Sequence, residues 1–139
     1  MKKAIRSFTA VILILCTTWI CSGATAINPC WNYVTIVGGH IDIPSSILGI
    51  AEVRGHGSAS TVGVDNVVCT VYLEQMKDRK WVTVNSWKSA ARARSAQVST
   101  KKYAVAHGYS YRVRVTLAAY KGSKLLETGE FTESYGYFN

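Results

Sequence analysis

No stretch of this sequence sustains a 3.6-residue apolar period with capping residues at its ends, which argues against any long helix. The longest apolar run, Ser7 to Ile20, is broken by Thr17 and Thr18 and falls short of the roughly 18 to 20 apolar residues that span a bilayer. There is no internal repeat and no low-complexity tract. The His-x-His and Cys-x-x-Cys spacings with which metal ligands often converge are absent. So are a Gly-x-Ser-x-Gly nucleophile elbow and a His-Glu-x-x-His helix. These absences leave no constellation that carries chemistry by itself. The expectation is a protein without catalytic activity, cofactor or metal.

What the chain does contain begins with an export signal over Met1 to Ala26. Lys2, Lys3 and Arg6 form a positive end, Ser7 to Ile20 the apolar run, and Ala24-Thr25-Ala26 a small-residue cleavage site. An uncleaved anchor would need a longer run. Lipidation at Cys21 would need small residues where Thr18-Trp19-Ile20 stand. Cleavage leaves residues 27–139 as one secreted domain, large enough for its own core and too small for a second. It also removes Cys16 and Cys21, so a Cys30–Cys69 disulfide is expected by elimination in a chain folding outside the cytoplasm. Such a bridge, closing a loop of about 40 residues, would contribute on the order of 4 kcal/mol. Loss of Lys2, Lys3 and Arg6 lowers the formal charge from +8 to +5. That excess favours anionic polymers without choosing among them. Lys88, Arg92, Arg94, Lys101 and Lys102 form the one dense basic stretch, read as a solvated connection.

The domain is organised around Gly108 to Tyr120, where Tyr111, Val113, Val115, Leu117 and Ala119 alternate with Arg112, Arg114, Thr116 and Ala118. Alternation at period two with β-branched and aromatic residues is a half-buried strand with Tyr111 as its first inward residue. The pattern returns over Val67 to Met76, where Cys69 joins the more apolar face. Lys77-Asp78-Arg79 turns that strand into Lys80 to Trp87. Ala96 to Val105 and Leu125 to Thr132 are further strands, and Ser89 to Arg94 is irregular or briefly helical. Trp31 to Val37 is a strand ended by Gly38-Gly39, with Ile41 to Ile43 a short separate piece. After Ile47 to Gly55 comes a Gly/Ser/Thr-rich segment, Gly55 to Gly63, with the composition of a loop. About seven strands with turns roughly every ten residues predict an all-β, antiparallel β-sandwich.

Gly108-Tyr109-Ser110-Tyr111-Arg112-Val113-Arg114-Val115 resembles the Tyr-x-Val-x-Val strand of fibronectin type III and immunoglobulin-like domains. There the tyrosine hydroxyl bonds back to the backbone just upstream, a structural role that would fall to Tyr111. A second resemblance rests on Val71-Tyr72-Leu73-Glu74-Gln75, Lys80-Trp81, Val84, Trp87, Tyr103, Val105, Gly108-Tyr109, Tyr111-Arg112-Val113, Glu127 and Ser134. In these the chain resembles a family of small secreted domains of Gram-positive bacteria of the Clostridium and Bacillus type. That family has no assigned activity or site, so the resemblance implies fold and export only. The Cys30/Cys69 pair is not expected throughout it.

Arg112 and Arg114 share the outward face of the central strand, where Tyr72 and Glu74 of its neighbour would meet them. The group is a cross-strand ladder or an exposed patch for an acidic or sugar-bearing partner. Trp81 and Trp87, six residues apart, would leave one face of their strand about 20 Å apart as core or as stacking platforms. Trp31 would pack over the disulfide. His40, His56 and His107 fall in predicted loops, and Asp42/Glu52 and Asp65/Asp78 read as surface charge rather than glycosidase pairs. The expected contact surface is therefore Tyr72, Arg112 and Arg114 with an exposed Trp87. The partner would be a cell-wall glycan, an acidic polymer or another protein, and not nucleic acid. A secreted antimicrobial or toxin acting on envelopes through its basic surface is the alternative. A small hydrolase would require a concave pocket where a histidine meets a carboxylate.

Overall fold

The computed structural model describes residues 25–26 and 30–139. The proposed leader up to Ala24 lies outside them. Its last two residues form β1 (Thr25–Ala26), followed by β2 (Val34–Asp42), β3 (Ile50–Ala59), β4 (Asn66–Lys77) and β5 (Lys80–Ala91). β6 (Ser95–Ala104), β7 (Tyr109–Lys121) and β8 (Lys124–Phe138) complete the order, with no helix among the described residues. The strands form two antiparallel sheets, β1-β2-β3-β6 and β5-β4-β7-β8. The first, second and fifth long strands thus oppose the fourth, third, sixth and seventh in an antiparallel β-sandwich.

The core is the alternation made physical. Tyr111, Val113, Val115, Leu117 and Ala119 of β7 are buried, with Val67, Cys69, Val71 and Leu73 of β4 beside them. Each such aliphatic side chain withdrawn from water contributes about 1.5–3 kcal/mol. The opposing sheet supplies Val37, Ile41, Ala51, Val53 and Val98, so among the described residues the buried core lies between Val34 and Phe138. Of the expected leader, the described sandwich includes only the two residues of β1, paired with β2.

Two glycine-rich segments run as strand. β2 continues through Gly38-Gly39, and β3 includes Gly55 and Gly57. The expected strand end and loop at these positions are therefore corrected. Inward glycines here bring the sheets together. A Cβ on Gly39 would lie 2.5 Å from Val115 Cγ2, one on Gly55 2.5 Å from Val71 Cγ2, and one on Gly57 2.9 Å from Leu117 Cδ1. β5 likewise runs on to Ala91, where irregular structure was expected from Ser89, and β8 extends to Phe138.

Tyr111 fastens the link between β6 and β7. Its hydroxyl donates to Ala106 O at 2.9 Å and accepts from Ala106 N at 3.0 Å and Gln75 Nε2 at 3.1 Å. Burial lifts the phenol above its ordinary value, partly offset by the bonds from Ala106 and Gln75. Tyr111→Phe is expected to cost about 1 to 2 kcal/mol, lowering the thermal midpoint by several degrees. Because the folded phenol holds its proton more tightly, its contribution is intact below about pH 10 and falls above it. An alkaline melting series should show that part missing in the variant.

Candidate functional site

Outward side chains of the second sheet form a continuous ladder. Register pairs Glu74 with Arg112 and Tyr72 with Arg114 across β4 and β7. Arg112 Nε donates to Glu74 Oε2 at 2.6 Å and Arg114 Nε to Glu74 Oε1 at 2.8 Å, so one carboxylate holds both arginines. The Arg112 guanidinium lies 4.4 Å from the centre of the Trp81 ring, and that of Arg114 4.1 Å from Tyr72. Arg114 Nη1 also reaches Glu130 Oε2 at 3.4 Å. The result is aromatic, arginine, carboxylate, arginine, aromatic in one row.

Glu74 is only 4 % exposed. Burial would raise its carboxyl, but the bonds and charges of Arg114 and Arg112 outweigh it and hold the group below the ordinary value. Burial pulls Arg114 down, and Glu74 and Glu130 more than restore it, leaving it further above an already high value. Each arginine turns its Nε inward and keeps about a quarter of its side-chain surface in water. What faces solvent is the far edge of two flat cations braced on aromatic rings. This edge suits bidentate recognition of an anion or hydrogen bonding to a polyol.

The structure thus brings Tyr72, Arg112 and Arg114 together, and places Trp87 elsewhere. Leu73 pairs with Asn85 but Glu74 with Thr83, so Val84 is an extra residue and the facing of β5 reverses across it. Trp81 therefore lies outward with Arg112. Trp87 turns inward against the core and meets Tyr103 edge-on at 6.2 Å. The expectation of both tryptophans on one face is corrected, and Trp81 is the aromatic that joins the ladder. Six residues imply one face only in an unbroken strand, and nothing at Val84 signals the bulge in sequence.

The expected Cys30–Cys69 bond is not formed. Cys30 leads into a segment bound to β8, whereas Cys69 on β4 is buried and bonded to the Val98 backbone of β6. Cys30 is exposed whereas Cys69 points into the core between the sheets, so the two side chains occupy different surroundings. Burial pushes the Cys69 thiol up to about 11, that of an unreactive core residue. Trp31, expected over the disulfide, packs instead against Gly129.

His40 and His56 lie in strands rather than loops, on the outward face of the first sheet. His40 Nδ1 meets Glu133 Oε1 at 3.0 Å, but half of the His40 side chain is in water, so this is a surface pair and not an enclosed acid–base site. His107 stacks on Phe138 at 4.3 Å. Asp42 and Glu52 are direct neighbours across β2 and β3, with Glu52 held by Lys102 at 2.8 Å. Asp65 accepts from Gly122 N at the opposite end of β4 from Asp78. The basic stretch is dispersed. Arg92 and Arg94 lie at one end of the sandwich, and Lys101 and Lys102 towards the other.

Glu127 has a role that its place in an acidic tail does not reveal. Its carboxylate accepts the backbone amides of Asn32, Tyr33 and Val34 at 3.0, 2.7 and 2.7 Å. Burial raises this carboxyl, and the three amides outweigh that and bring it below the ordinary value. Compared with known proteins, the chain matches no protein-family model, no curated protein and no solved structure at a significant level.

Proposed function

We propose that the chain is an exported, non-catalytic binding module whose contact surface is the outward face of the second sheet. The observation that carries this reading is the row Trp81, Arg112, Glu74, Arg114, Tyr72, with two braced guanidinium edges in solvent. A ladder serving stability alone needs no second arginine on the same buried carboxylate, since the pair adds repulsion between cations. The partner chemistry that matches is an acidic or hydroxyl-rich polymer such as cell-wall glycan. Export is supported by the composition of residues 1–26.

The test is cosedimentation of the chain beginning at Ile27 with washed Gram-positive cell walls, at low salt and near 0.5 M. At the higher salt, charges beyond about 4 to 5 Å are screened. Retention at both is expected. Arg112→Lys with Arg114→Lys keeps charge beside Glu74 but removes the planar fork, so retention at high salt should fall at least about tenfold. Retention only at low salt, or unmoved by the double substitution, would reduce the interaction to the +5 charge excess.

A further inference from the structure

Eight large apolar side chains are exposed among the described residues, and six of them lie at one end of the sandwich. This end holds the link between β2 and β3, the turn between β4 and β5, the link between β6 and β7, and the finish of β8. Pairing of Lys77 with Lys80, Gln75 with Tyr111, Ile50 with Ala104 and Tyr109 with Phe138 aligns these segments. Val105 N donates to Gly49 O at 2.7 Å, extending the β3–β6 pairing of the first sheet by one step.

At the tip of the first link, Ile47 is 89 % and Leu48 69 % exposed. The turn is built locally, with Leu48 N on Ser45 Oγ and Gly49 N on Ser45 O, so both aliphatic side chains are held out in water by a formed structure. Behind them stand Tyr109, Tyr135 and Tyr137, the last 61 % exposed. Beside them the β4–β5 turn carries Lys77, Arg79 and Lys80 against Asp78, all exposed.

We infer that this end of the molecule docks on an anionic lipid surface. Ile47 and Leu48 enter the acyl boundary, the tyrosines sit at headgroup level, and Lys77, Arg79 and Lys80 meet lipid phosphates. Aliphatic tips, interfacial tyrosines and flanking cations are what a bilayer surface accommodates at successive depths. Charge argues against a second copy as occupant, because end-to-end pairing would set two positive turns against each other. No helix among the described residues is long and apolar enough to cross a membrane, and surface docking needs none. Its basic turn adjoins Trp81 at one end of the arginine ladder, but the lipid contact uses neither Arg112 nor Arg114.

The experiment is sedimentation of the chain beginning at Ile27 with vesicles of phosphatidylcholine alone or with about a third phosphatidylglycerol. Association with the anionic vesicles is expected, weakened in high salt and by Lys77→Glu with Lys80→Glu. Ile47→Ser with Leu48→Ser, at positions too exposed to disturb folding, should lower it at least about tenfold. Arg112→Lys with Arg114→Lys should leave it unchanged, which separates this surface from the ladder. Failure to associate, equal association with both lipids, or association unmoved by the Ile47/Leu48 substitutions would overturn the inference. Self-association without vesicles, abolished by the same substitutions, would assign the tip to a second copy instead.

Discussion

A Gly55→Val chain is expected to lose about 3 kcal/mol or more, and to be recovered largely unfolded or aggregated at 37 °C. The first carbon of the new side chain would sit 2.5 Å from Val71 Cγ2 and between 2.9 and 3.0 Å from both Val115 methyls. Those methyls belong to β-branched residues buried in the middle of two central strands, so neither can swing aside. The sheets must separate, and interdigitation across the whole interface suffers. His56→Val provides the contrast. One residue along the same strand and facing solvent, it should change stability by no more than about 0.5 kcal/mol. Urea denaturation of the two variants reads the difference directly. Equal midpoints would mean that the sheets are not in close contact at this point.

Glu74→Gln is expected to cost about 2 kcal/mol at neutral pH. The carboxylate accepts one Nε–H on each oxygen, and an amide offers an NH₂ where one of those oxygens was, so one arginine meets a donor instead of an acceptor. Two cations two residues apart on β7 also lose the anion between them. Breaking a fully buried pair costs about 3–5 kcal/mol, but these arginines keep a quarter of their surface in water, which recovers part. The pH dependence follows from the lowered carboxyl. The native state holds Glu74 ionised where the unfolded chain has begun to bind a proton, so its contribution is present above the ordinary carboxylate range and lost below it. Parent and variant should therefore differ at pH 7 and converge on acidification. Glu127 titrates with the same sign in both chains and does not affect the comparison. A constant gap down to pH 3 would show that the charge on Glu74 is not what the arginines use.

The fold was legible where period two is written by large residues. β4 and β7 carry an unbroken run of inward Val, Leu, Tyr and Cys, and their ends fall within a residue or two of the turn signals that flank them. Glycine misled because it serves two physical ends. At Gly122, with φ +59°, it lets the chain turn, whereas at Gly39, Gly55 and Gly57 it lets a neighbouring sheet come close, and only the opposing Val115, Val71 and Leu117 tell these apart. The ladder was half legible for a related reason. Tyr72, Glu74, Arg112 and Arg114 follow from two regular strands, but Trp81 reaches them only because β5 has one extra residue at Val84. Two cysteines left after an expected leader give a count and not a distance. Cys30 is exposed and Cys69 is buried in the core, a difference that the count does not carry.

The grip of Glu127 on Asn32, Tyr33 and Val34 orders events in time. The contacts join residues 93 to 95 positions apart, and no nearer side chain among the described residues takes those amides. A chain synthesised from its N-terminus delivers its first long strand early and the residue that seats it almost last. The entropy of closing that loop is offset only once β8 has paired along β7. Until then the start of β2 is held by its pairing with β3, with the amides on its other side not yet seated. A variant at Glu127 should thus slow the final step of folding more than it disturbs the sheets already formed.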